Sequence, residues 1–222
     1  MKRVIIFGIG ENAQLLKYYL ENDIEYKGEY TVEAFTLDKE YVLENTFMGK
    51  PLVPFQQIEK IYDPEEYYIF IALGYTKMNN LRETKYLEAK SKGFKFFNYI
   101  SSKAFYSGNK IGENNLILES SVIQPFVEIG NNNVIMGGGL IGHHTKIYNN
   151  CFFAGGSNLG GKCIIKNNCF IGLNASIRDN LILENKTLVG GGAWISNNTE
   201  EGGVYIAEKA LKINKKSLEI KI

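Results

Sequence analysis

Histidine, cysteine and proline are scarce in this sequence: its 222 residues include two histidines, three cysteines and four prolines. A zinc hydratase built on three histidine ligands is therefore not expected, and three cysteines cannot all pair in disulfides. An excess of positive charge is also missing, because 25 Lys and Arg side chains face 24 Asp and Glu side chains, for a net charge of +1. This balance argues against a dedicated nucleic-acid-binding protein.

Long hydrophobic runs are absent as well. No apolar stretch approaches the roughly 20 residues that a membrane-spanning helix requires. The apolar residues after Met1-Lys2-Arg3 are interrupted at Gly8, which is too early for the hydrophobic region of a signal peptide. Apolar residues nevertheless make up 45% of the chain, enough for a buried core. We expect a cytoplasmic protein with no membrane partner and no nucleic-acid partner.

The frequencies of glycine and of charged residues both change near Gly108, which indicates a domain boundary there. Six of the 23 glycines lie in residues 1–107 and 17 lie between 108 and 203, whereas residues 111–198 carry only 10 charged side chains. Strand patterns in the first part cover Arg3–Phe7, Val32–Leu37, Tyr67–Leu73 and Phe94–Ile100, and helical patterns cover Ala13–Leu20 and Asn79–Lys92. This alternation predicts a small N-terminal α/β domain, Rossmann-like, over residues 1–107.

A strict six-residue repeat dominates the second part. Fifteen consecutive positions six residues apart, from Ile111 to Ile195, all carry a bulky apolar residue. Neither a helix nor an ordinary strand has this period, which is typical of a solenoid whose short strands alternate with turns. Three repeats make one triangular coil of 18 residues, and coils stack at the strand spacing of about 4.8 Å. We predict a β-helix over residues 108–206 and a C-terminal tail over residues 207–222, with a short basic helix from Glu208 to Ile222.

The three cysteines share one place in this repeat. Cys151, Cys163 and Cys169 lie four residues after a bulky apolar position, where other repeats carry Ser, Thr or Ala. We interpret them as compact core residues rather than as metal ligands or nucleophiles. The corners of the coil also differ: one carries an asparagine column, a second is rich in glycine, and the third carries residues 124–126, 142–144, 160–162 and 178–180.

Both histidines lie at this third corner, as His143 and His144. One coil further along lies Gly161, between Gly160 and Lys162. Stacking predicts that Gly161 lies about one strand spacing from His143, with a backbone N–H that no side chain covers. An imidazole base beside such a donor suits acyl transfer, because the base removes a proton from the nucleophile and the N–H stabilises the oxyanion. A pair of exposed turn histidines without a role is the alternative.

A glycine-rich turn, Gly8-Ile9-Gly10-Glu11-Asn12-Ala13, follows the first predicted strand. Such a turn lets a phosphate approach the N–H groups of the helix that follows. Asp38 could accept a hydrogen bond from a ribose or sugar hydroxyl, although it lies 28 residues after Gly10, further than the roughly 20 residues of dinucleotide sites. A nucleotide or nucleotide-sugar is therefore expected rather than a hydride carrier, and a tight turn without a ligand is the alternative.

Over nearly its whole length the chain resembles the bacterial sugar acyltransferases of the sialic acid O-acetyltransferase type, which include nucleotide-linked aminosugar N-acetyltransferases. The motifs that carry the resemblance are the glycine-rich turn, Ile69-Phe70-Ile71-Ala72-Leu73-Gly74, Lys92-Gly93-Phe94, Tyr99-Ile100-Ser101 and the histidine-bearing coils. The resemblance implies a left-handed parallel β-helix, a homotrimer, acetyl-coenzyme A bound between adjacent β-helices, and a nucleotide-sugar held by the N-terminal domain.

The resemblance also implies roles for individual residues. His143 matches the catalytic base and Gly161 matches the glycine whose N–H contacts the thioester, and we group His144 with them as catalytic. The matches to nucleotide-sugar contacts are Gly8, Gly10, Asp38 and Gly74, to which we add Glu11. The residues that we expect to contact acetyl-coenzyme A are Gly160, Gly161, Lys162, Ala193 and Lys209.

The sequence departs from the family pattern at three places. His144 stands where Asp or Glu often orients the imidazole, and Glu11-Asn12 stands where Gly-His is usual. Near the end, Ala207-Glu208-Lys209-Ala210 replaces Gly-Xaa-Pro-Ala. We predict a metal-free acetyltransferase that uses acetyl-coenzyme A to acylate an amino or hydroxyl group of a nucleotide-linked deoxysugar. A non-catalytic trimeric scaffold or sugar-binding protein with a degenerate cofactor site is the alternative, and roughly 107 N-terminal residues are too few for a nucleotidyltransferase domain.

Overall fold

The N-terminal part of the chain forms one sheet with helices on both faces. The structure, a computed structural model, describes residues 1–212, 214 and 216–220. The strands of this sheet are β1 (Lys2–Phe7), β2 (Tyr30–Leu37), β3 (Thr46–Phe47), β4 (Lys50–Pro54), β5 (Tyr67–Ile71) and β6 (Lys95–Phe96). The helices are α1 (Glu11–Asn22), α2 (Ile58–Ile61) and α3 (Asn80–Ser91). Within the described ranges, no helix has both the length and the apolar character needed to cross a membrane.

The side chains of β1 divide between two cores. Val4 and Ile6 pack in the same cluster as Leu16 of α1, whereas Ile5 packs in the cluster of Ala89 from α3. Successive strand residues point to opposite faces of a sheet. A strand that is covered on both faces therefore needs the uninterrupted apolar run that the sequence shows here.

The N-terminal sheet is small and mixed, with strand order β3-β4-β2-β1-β5-β6. β3 pairs antiparallel with β4, while the other neighbouring strands pair in parallel. The predicted strands at 3–7, 32–37 and 67–73 and both predicted helices are confirmed within a few residues. The Rossmann-like fold predicted for residues 1–107 is not confirmed, because only this small mixed sheet is present.

The rest of the chain stacks two-residue parallel strands into three sheets, which confirms the predicted left-handed parallel β-helix. The first sheet contains β7 (Tyr99–Ile100), β10 (Leu116–Ile117), β13 (Val134–Ile135), β16 (Phe152–Phe153), β19 (Phe170–Ile171), β22 (Leu188–Val189) and β24 (Val204–Tyr205). The second contains β8 (Phe105–Tyr106), β11 (Val122–Ile123), β14 (Leu140–Ile141), β17 (Asn158–Leu159), β20 (Ser176–Ile177) and β23 (Trp194–Ile195). The third contains β9 (Lys110–Ile111), β12 (Glu128–Ile129), β15 (Lys146–Ile147), β18 (Ile164–Ile165) and β21 (Ile182–Leu183).

The six-residue repeat corresponds to the second, inward-facing residue of each strand. From Ile117 to Ile195 all of these side chains are buried in one core cluster. The small side chains four residues later are buried with them, including Cys151, Cys163 and Cys169, which are free thiols. Burial raises the pKa of the Cys151 and Cys163 thiols. These cysteines therefore fill the core, and no group of three or more His, Cys, Asp or Glu side chains in the described ranges is placed to hold a metal.

The stacked strands begin before residue 108. β7 pairs with β10 and β8 pairs with β11, although both strands fall in the N-terminal part of the proposed division. The inward residues Ile100, Tyr106 and Ile111 are six and then five residues apart, so the strict repeat is broken before Ile111. The single strand predicted over 94–100 is wrong for the same reason: its two ends belong to different sheets, as β6 and β7.

A short part of the tail is described. The helix predicted from Glu208 to Ile222 is not formed by the described tail residues, apart from a 3-10 turn at Ser217–Glu219. Residues 213, 215, 221 and 222 of that prediction lie outside the described residues.

A column of asparagines lines the corner between the third and first sheets. The Asn114 side-chain amide donates to Asn132 Oδ1 at 2.7 Å, and the Asn132 amide donates to Asn150 Oδ1 at 2.8 Å. All three residues have a left-handed backbone, with φ between 57° and 62°. Asparagine tolerates this conformation, so the column supports the turn and links successive coils.

One buried cation joins α3 to this corner. The Arg82 guanidinium donates to the backbone oxygens of Gly74 at 2.9 Å, Asn132 at 3.2 Å, and Asn150 and Cys151 at 3.0 Å each. Among the described residues no carboxylate forms a salt bridge with it. Burial lowers the pKa of Arg82 to about 10, so the side chain is still protonated at neutral pH. Backbone carbonyls of two coils therefore take the place of an anion.

Replacement of this cation tests its contribution to stability. Arg82→Met leaves buried carbonyl oxygens without donors, at about 1–3 kcal/mol for each unsatisfied group, partly offset because a charge is no longer buried. We expect the free energy of unfolding in urea to fall by about 3 kcal/mol. Arg178→Met, at an exposed corner, is the control and should change it by less than about 0.5 kcal/mol. Equal effects of the two substitutions would contradict this role.

Candidate active site

The corner between the second and third sheets carries both histidines. In the four turns of this corner between β11 and β21 the last residue has a left-handed backbone, with φ between 58° and 66° at Phe126, His144, Lys162 and Asn180. These four coils therefore turn in the same way, and their equivalent residues are stacked. Both imidazoles are exposed in the single chain.

The His143 imidazole lies directly against Gly161. A Cβ atom at Gly161 would lie 2.7 Å from Cε1, 2.8 Å from Nε2 and 3.0 Å from Nδ1 of His143. The ring therefore fills the space that any side chain at 161 would take. The structure brings these two residues together, as the stacking of coils predicts.

The backbone N–H of Gly161 is available to a ligand because Gly142, in the preceding coil, has no side chain to accept its hydrogen bond. The N–H of His143 donates to Gln124 Oε1 at 2.9 Å, and the residue one coil after Gln124 is Gly142, which has no side chain to accept a bond. A Cβ atom at Gly142 would lie 2.5 Å from the Gly161 nitrogen. In the described part of the chain the Gly161 N–H has no acceptor. Gly142 was not among the predicted residues, and a step of 18 from Gln124 is the signal that identifies it.

Gly160 leaves the next N–H open in the same way. A Cβ atom at Gly160 would lie 2.5 Å from the nitrogen of Asp179, one coil after Gly161. The Gly161 and Asp179 N–H groups therefore lie along the corner about one strand spacing apart. Lys162, predicted to contact the cofactor, has an exposed side chain at this corner, and its N–H donates to the His143 carbonyl at 2.8 Å.

The two imidazoles contact each other. The Nδ1 atoms of His143 and His144 lie 3.0 Å apart, and the rings are nearly perpendicular, at 89°. The other neighbour of His144 is the Phe126 ring, with centroids 4.6 Å apart and an interplanar angle of 35°. His144 therefore stands between an aromatic ring and the proposed base.

The other two predicted cofactor residues lie away from this turn. Ala193 is buried just before β23, which is three strands beyond β14 in the second sheet. Lys209 is exposed in the tail. In one copy of the chain the histidine corner is an open surface, so a groove that holds a ligand there needs a second wall.

A separate cleft of about 490 Å³ opens where β1 and β5 end. Its lining includes three of the predicted substrate residues, Gly10, Glu11 and Gly74. Gly10 is the N-cap of α1 and, because it has no side chain, it cannot accept a hydrogen bond from the first N–H groups of the helix. Since the first N–H groups of a helix have no partners within it, this end of α1 offers donors to an anion in the cleft.

Gly8 and Asp38 do not line that cleft. Gly8 has a φ of +119°, and a Cβ atom there would lie 3.2 Å from the Ala72 carbonyl oxygen, so its place in the turn requires glycine. The Asp38 carboxylate accepts from Lys85 Nζ at 2.8 Å and from the Gln56 amide at 3.2 Å. It lines a different cleft, beside Lys85 and Gln56.

Tyr75 is a further residue of the cleft between β1 and β5. Its ring packs against Phe152, with centroids 5.0 Å apart, and against Phe170, at 4.8 Å. Residues 77–79, which follow it, all have left-handed backbones, with φ from 51° to 63°, and the Asn79 amide ties this turn to the Cys169 carbonyl at 3.1 Å. Only the tertiary packing of the loop on the first sheet reveals Tyr75, because the strand pattern ends before it.

Comparisons with known proteins identify the fold. No protein-family profile matches the chain, and no curated protein sequence matches it. Solved structures do: the acetyltransferase domain of PglB from Neisseria gonorrhoeae in complex with acetyl coenzyme A is 18% identical, with 93% of this chain and 96% of that chain covered and a TM-score of 0.79. A mutant of perosamine N-acetyltransferase from Caulobacter crescentus in complex with CoA and GDP-perosamine is 21% identical, with 93% and 94% covered and a TM-score of 0.82. WeeI from Acinetobacter baumannii is 17% identical, with 93% and 97% covered and a TM-score of 0.80.

The contact of His143 with Gly161 predicts the effect of one added methyl group. In Gly161→Ala the new Cβ should displace the imidazole, because three ring atoms lie within 3.0 Å of it. We expect the Cε1–H NMR signals of both histidines to shift, while the free energy of unfolding changes by less than about 1 kcal/mol. Gly155→Ala is the matched control, since its Cβ would make only ordinary contacts at the same turn position of another corner. Unchanged histidine signals in Gly161→Ala would show that the ring lies elsewhere.

Proposed function

We propose that this chain is an acetyl-coenzyme A-dependent acetyltransferase that acts on a nucleotide-linked amino deoxysugar. The observation that carries the proposal is the His143 imidazole beside Gly161, whose N–H has no acceptor in the described part of the chain. The solved structures of similar fold support it, because they include an acetyltransferase domain with acetyl coenzyme A and a perosamine N-acetyltransferase with CoA and GDP-perosamine. An amine is the acceptor that these structures favour over a hydroxyl.

In this proposal His143 acts as general base for direct attack on the thioester. Nε2 of His143 removes a proton from the acceptor amine as the amine nitrogen bonds to the acetyl carbon. The Gly161 N–H donates to the acetyl oxygen, which becomes negatively charged in this step. The carbon–sulfur bond then breaks, and His143 returns its proton to the departing sulfur. The products are an amide and the free thiol of coenzyme A.

The cleft between β1 and β5 is the proposed nucleotide-sugar site. Gly10, Glu11 and Gly74 line it, and the uncapped end of α1 provides N–H donors for a diphosphate. Gly8 shapes the turn, whereas Asp38, which is paired with Lys85 in a different cleft, lies outside this proposed site. The small mixed sheet and its helices within residues 1–107 would then form the nucleotide-sugar domain, and residues 108–206, together with β7 and β8, would form the acyltransferase domain, followed by the tail.

A homotrimer would supply the second wall of the cofactor site. Phe105 and Trp194 lie on the outer face of the second sheet, which leads into the histidine corner, and are 59% and 61% exposed in the single chain. Large exposed apolar side chains of this kind mark contact surfaces. Acetyl-coenzyme A would lie between adjacent β-helices, near Gly160, Gly161, Lys162, Ala193 and Lys209 of the chains that form the groove.

Turnover of acetyl-coenzyme A with candidate nucleotide aminosugars tests the reaction. His143→Ala should lower kcat by about 100-fold or more, the contribution expected of a general base, with little change in the KM for acetyl-coenzyme A. Lys110→Ala, on the outer face of the third sheet, should leave kcat unchanged. Full activity of the His143 variant would exclude it as the base.

Calorimetry with coenzyme A separates the enzyme from the non-catalytic alternative. The altered segment Ala207-Glu208-Lys209-Ala210 is the feature that favours a scaffold or sugar-binding protein with a degenerate cofactor site. An enzyme should bind coenzyme A, and no detectable binding would support the alternative.

The ring of Tyr75, on one side of the cleft between β1 and β5, allows a separate test of the proposed nucleotide-sugar site. Tyr75→Ala removes a ring that lines the proposed nucleotide-sugar site, and loss of stacking on a base or sugar costs about 1–3 kcal/mol. We expect the KM for the nucleotide-sugar to rise about 10-fold, while the KM for acetyl-coenzyme A stays constant. Tyr148→Ala, a half-exposed tyrosine next to the third sheet, is the control. Equal kinetics of the two variants would place the nucleotide-sugar elsewhere.

A further inference from the structure

The histidine pair meets through the same ring nitrogen of each side chain. Nδ1 of His143 lies 3.0 Å from Nδ1 of His144, which is a hydrogen-bond distance. A hydrogen bond between two imidazole nitrogens needs a proton on one of them and a lone pair on the other. The pair therefore couples the tautomers of the two rings.

This coupling decides which nitrogen of His143 can act as a base. A neutral imidazole has one N–H and one lone pair. If His143 carries its proton on Nδ1 and donates to His144, then Nε2 of His143 has the lone pair and can accept a proton. If His144 donates instead, the proton of His143 is on Nε2, and the ring cannot take a proton from an amine there.

The position of His144 is supported by an unusual residue type in the preceding turn of this corner. Phe126 has a φ of 66°, a conformation that is rare for a bulky side chain, and the equivalent residue three coils later in this corner is Asn180, with a φ of 58°. The Phe126 ring packs on His144, with centroids 4.6 Å apart. A phenylalanine in a left-handed turn is explained if its ring holds the imidazole of His144 in place.

We propose that His144 is a positioning residue that fixes His143 in the Nδ1–H tautomer, and that Phe126 holds His144 for this purpose. The inference rests on the proposed function, because the tautomer matters for a base. The charged side chains of this corner are Lys162, Arg178 and Asp179, and among the described residues none of them is bonded to either ring. When His143 accepts a proton on Nε2, its Nδ1–H continues to donate to the neutral His144, so an imidazole takes the place of a carboxylate.

Nitrogen NMR of the histidine rings tests the tautomers without any substrate. The chain has only two histidines, so four ring nitrogens are observed in uniformly labelled full-length protein above pH 8. We expect an N–H signal at Nδ1 and a lone-pair signal at Nε2 for His143, and the reverse for His144. A protonated Nε2 on His143 would overturn the proposal.

Two substitutions at position 144 separate the acceptor from the turn. Both residues tolerate the left-handed backbone, but His144→Asn keeps an acceptor oxygen near the place of Nδ1, whereas His144→Gly removes it. Both lose the stacking on Phe126, so they are matched in that respect. We expect kcat of the glycine variant to fall roughly 10- to 100-fold with an unchanged KM, the loss typical of a hydrogen bond to a group that becomes charged, and the asparagine variant to stay within about 3-fold of the native protein.

The possible failures are distinguishable. Full activity of His143→Ala contradicts the proposed function, whereas loss of activity in His143→Ala with native kcat in His144→Gly contradicts only the role of His144. In the glycine variant the His143 nitrogens should average between the two tautomers, and in the asparagine variant Nδ1 should remain protonated. An unchanged Nδ1–H signal in His144→Gly would also overturn the proposal, and this measurement decides the question even if no acceptor sugar is turned over.

Discussion

Parallel pairing of coils at an offset of 18 residues, which is constant from β9 to β23, is the constraint on which the candidate site depends. This pairing places Ile117 beside Ile135 in one sheet and Ile123 beside Ile141 in another, and the same offset brings His143 to Gly161. Successive turns of the histidine corner have a left-handed residue at the same position. A missing side chain in one coil therefore exposes a backbone group of the next coil. The geometry of the candidate site is therefore a consequence of stacking rather than of a specialised loop.

The N-terminal part depends on the β-helix as well. The outward residues Leu116, Val134 and Phe152 of the first sheet pack in the same core cluster as β1 and α1. Arg82 connects the same two parts through carbonyls, and one of those carbonyls belongs to Gly74 in the cleft between β1 and β5. The loop that carries Tyr75 is thereby held on the β-helix at both of its ends, so the cleft and the coils form one packed unit.

Much of this arrangement could be predicted from the sequence, because a strict period is a strong signal. The repeat identifies the inward residues from Ile111 to Ile195 and the neighbourhood of His143 and Gly161. It fails where one repeat is a residue shorter, between Tyr106 and Ile111, so that the first two strands of the coil are missed. β3 is missed because it has only two residues, and β4 is missed because its two prolines interrupt the apolar pattern. The contact between the imidazoles, the role of Gly142 and the place of Tyr75 arise from side-chain packing, which no single-sequence period describes.

The shortened repeat has a consequence for how such a chain can vary. Between Ile111 and Ile195 the place of each residue in its six-residue repeat decides whether its side chain points inward or outward. Loss of one residue inside this region would turn every later isoleucine outward, and only the removal of a whole coil would restore the phase while keeping each sheet continuous. Before this region, between Tyr106 and Ile111, one repeat is already a residue shorter, and only the strands β7 and β8 of the β-helix precede it. Length variation in this molecule is therefore tolerated at the ends of the stack and in the N-terminal loops, and not along the coils that carry His143.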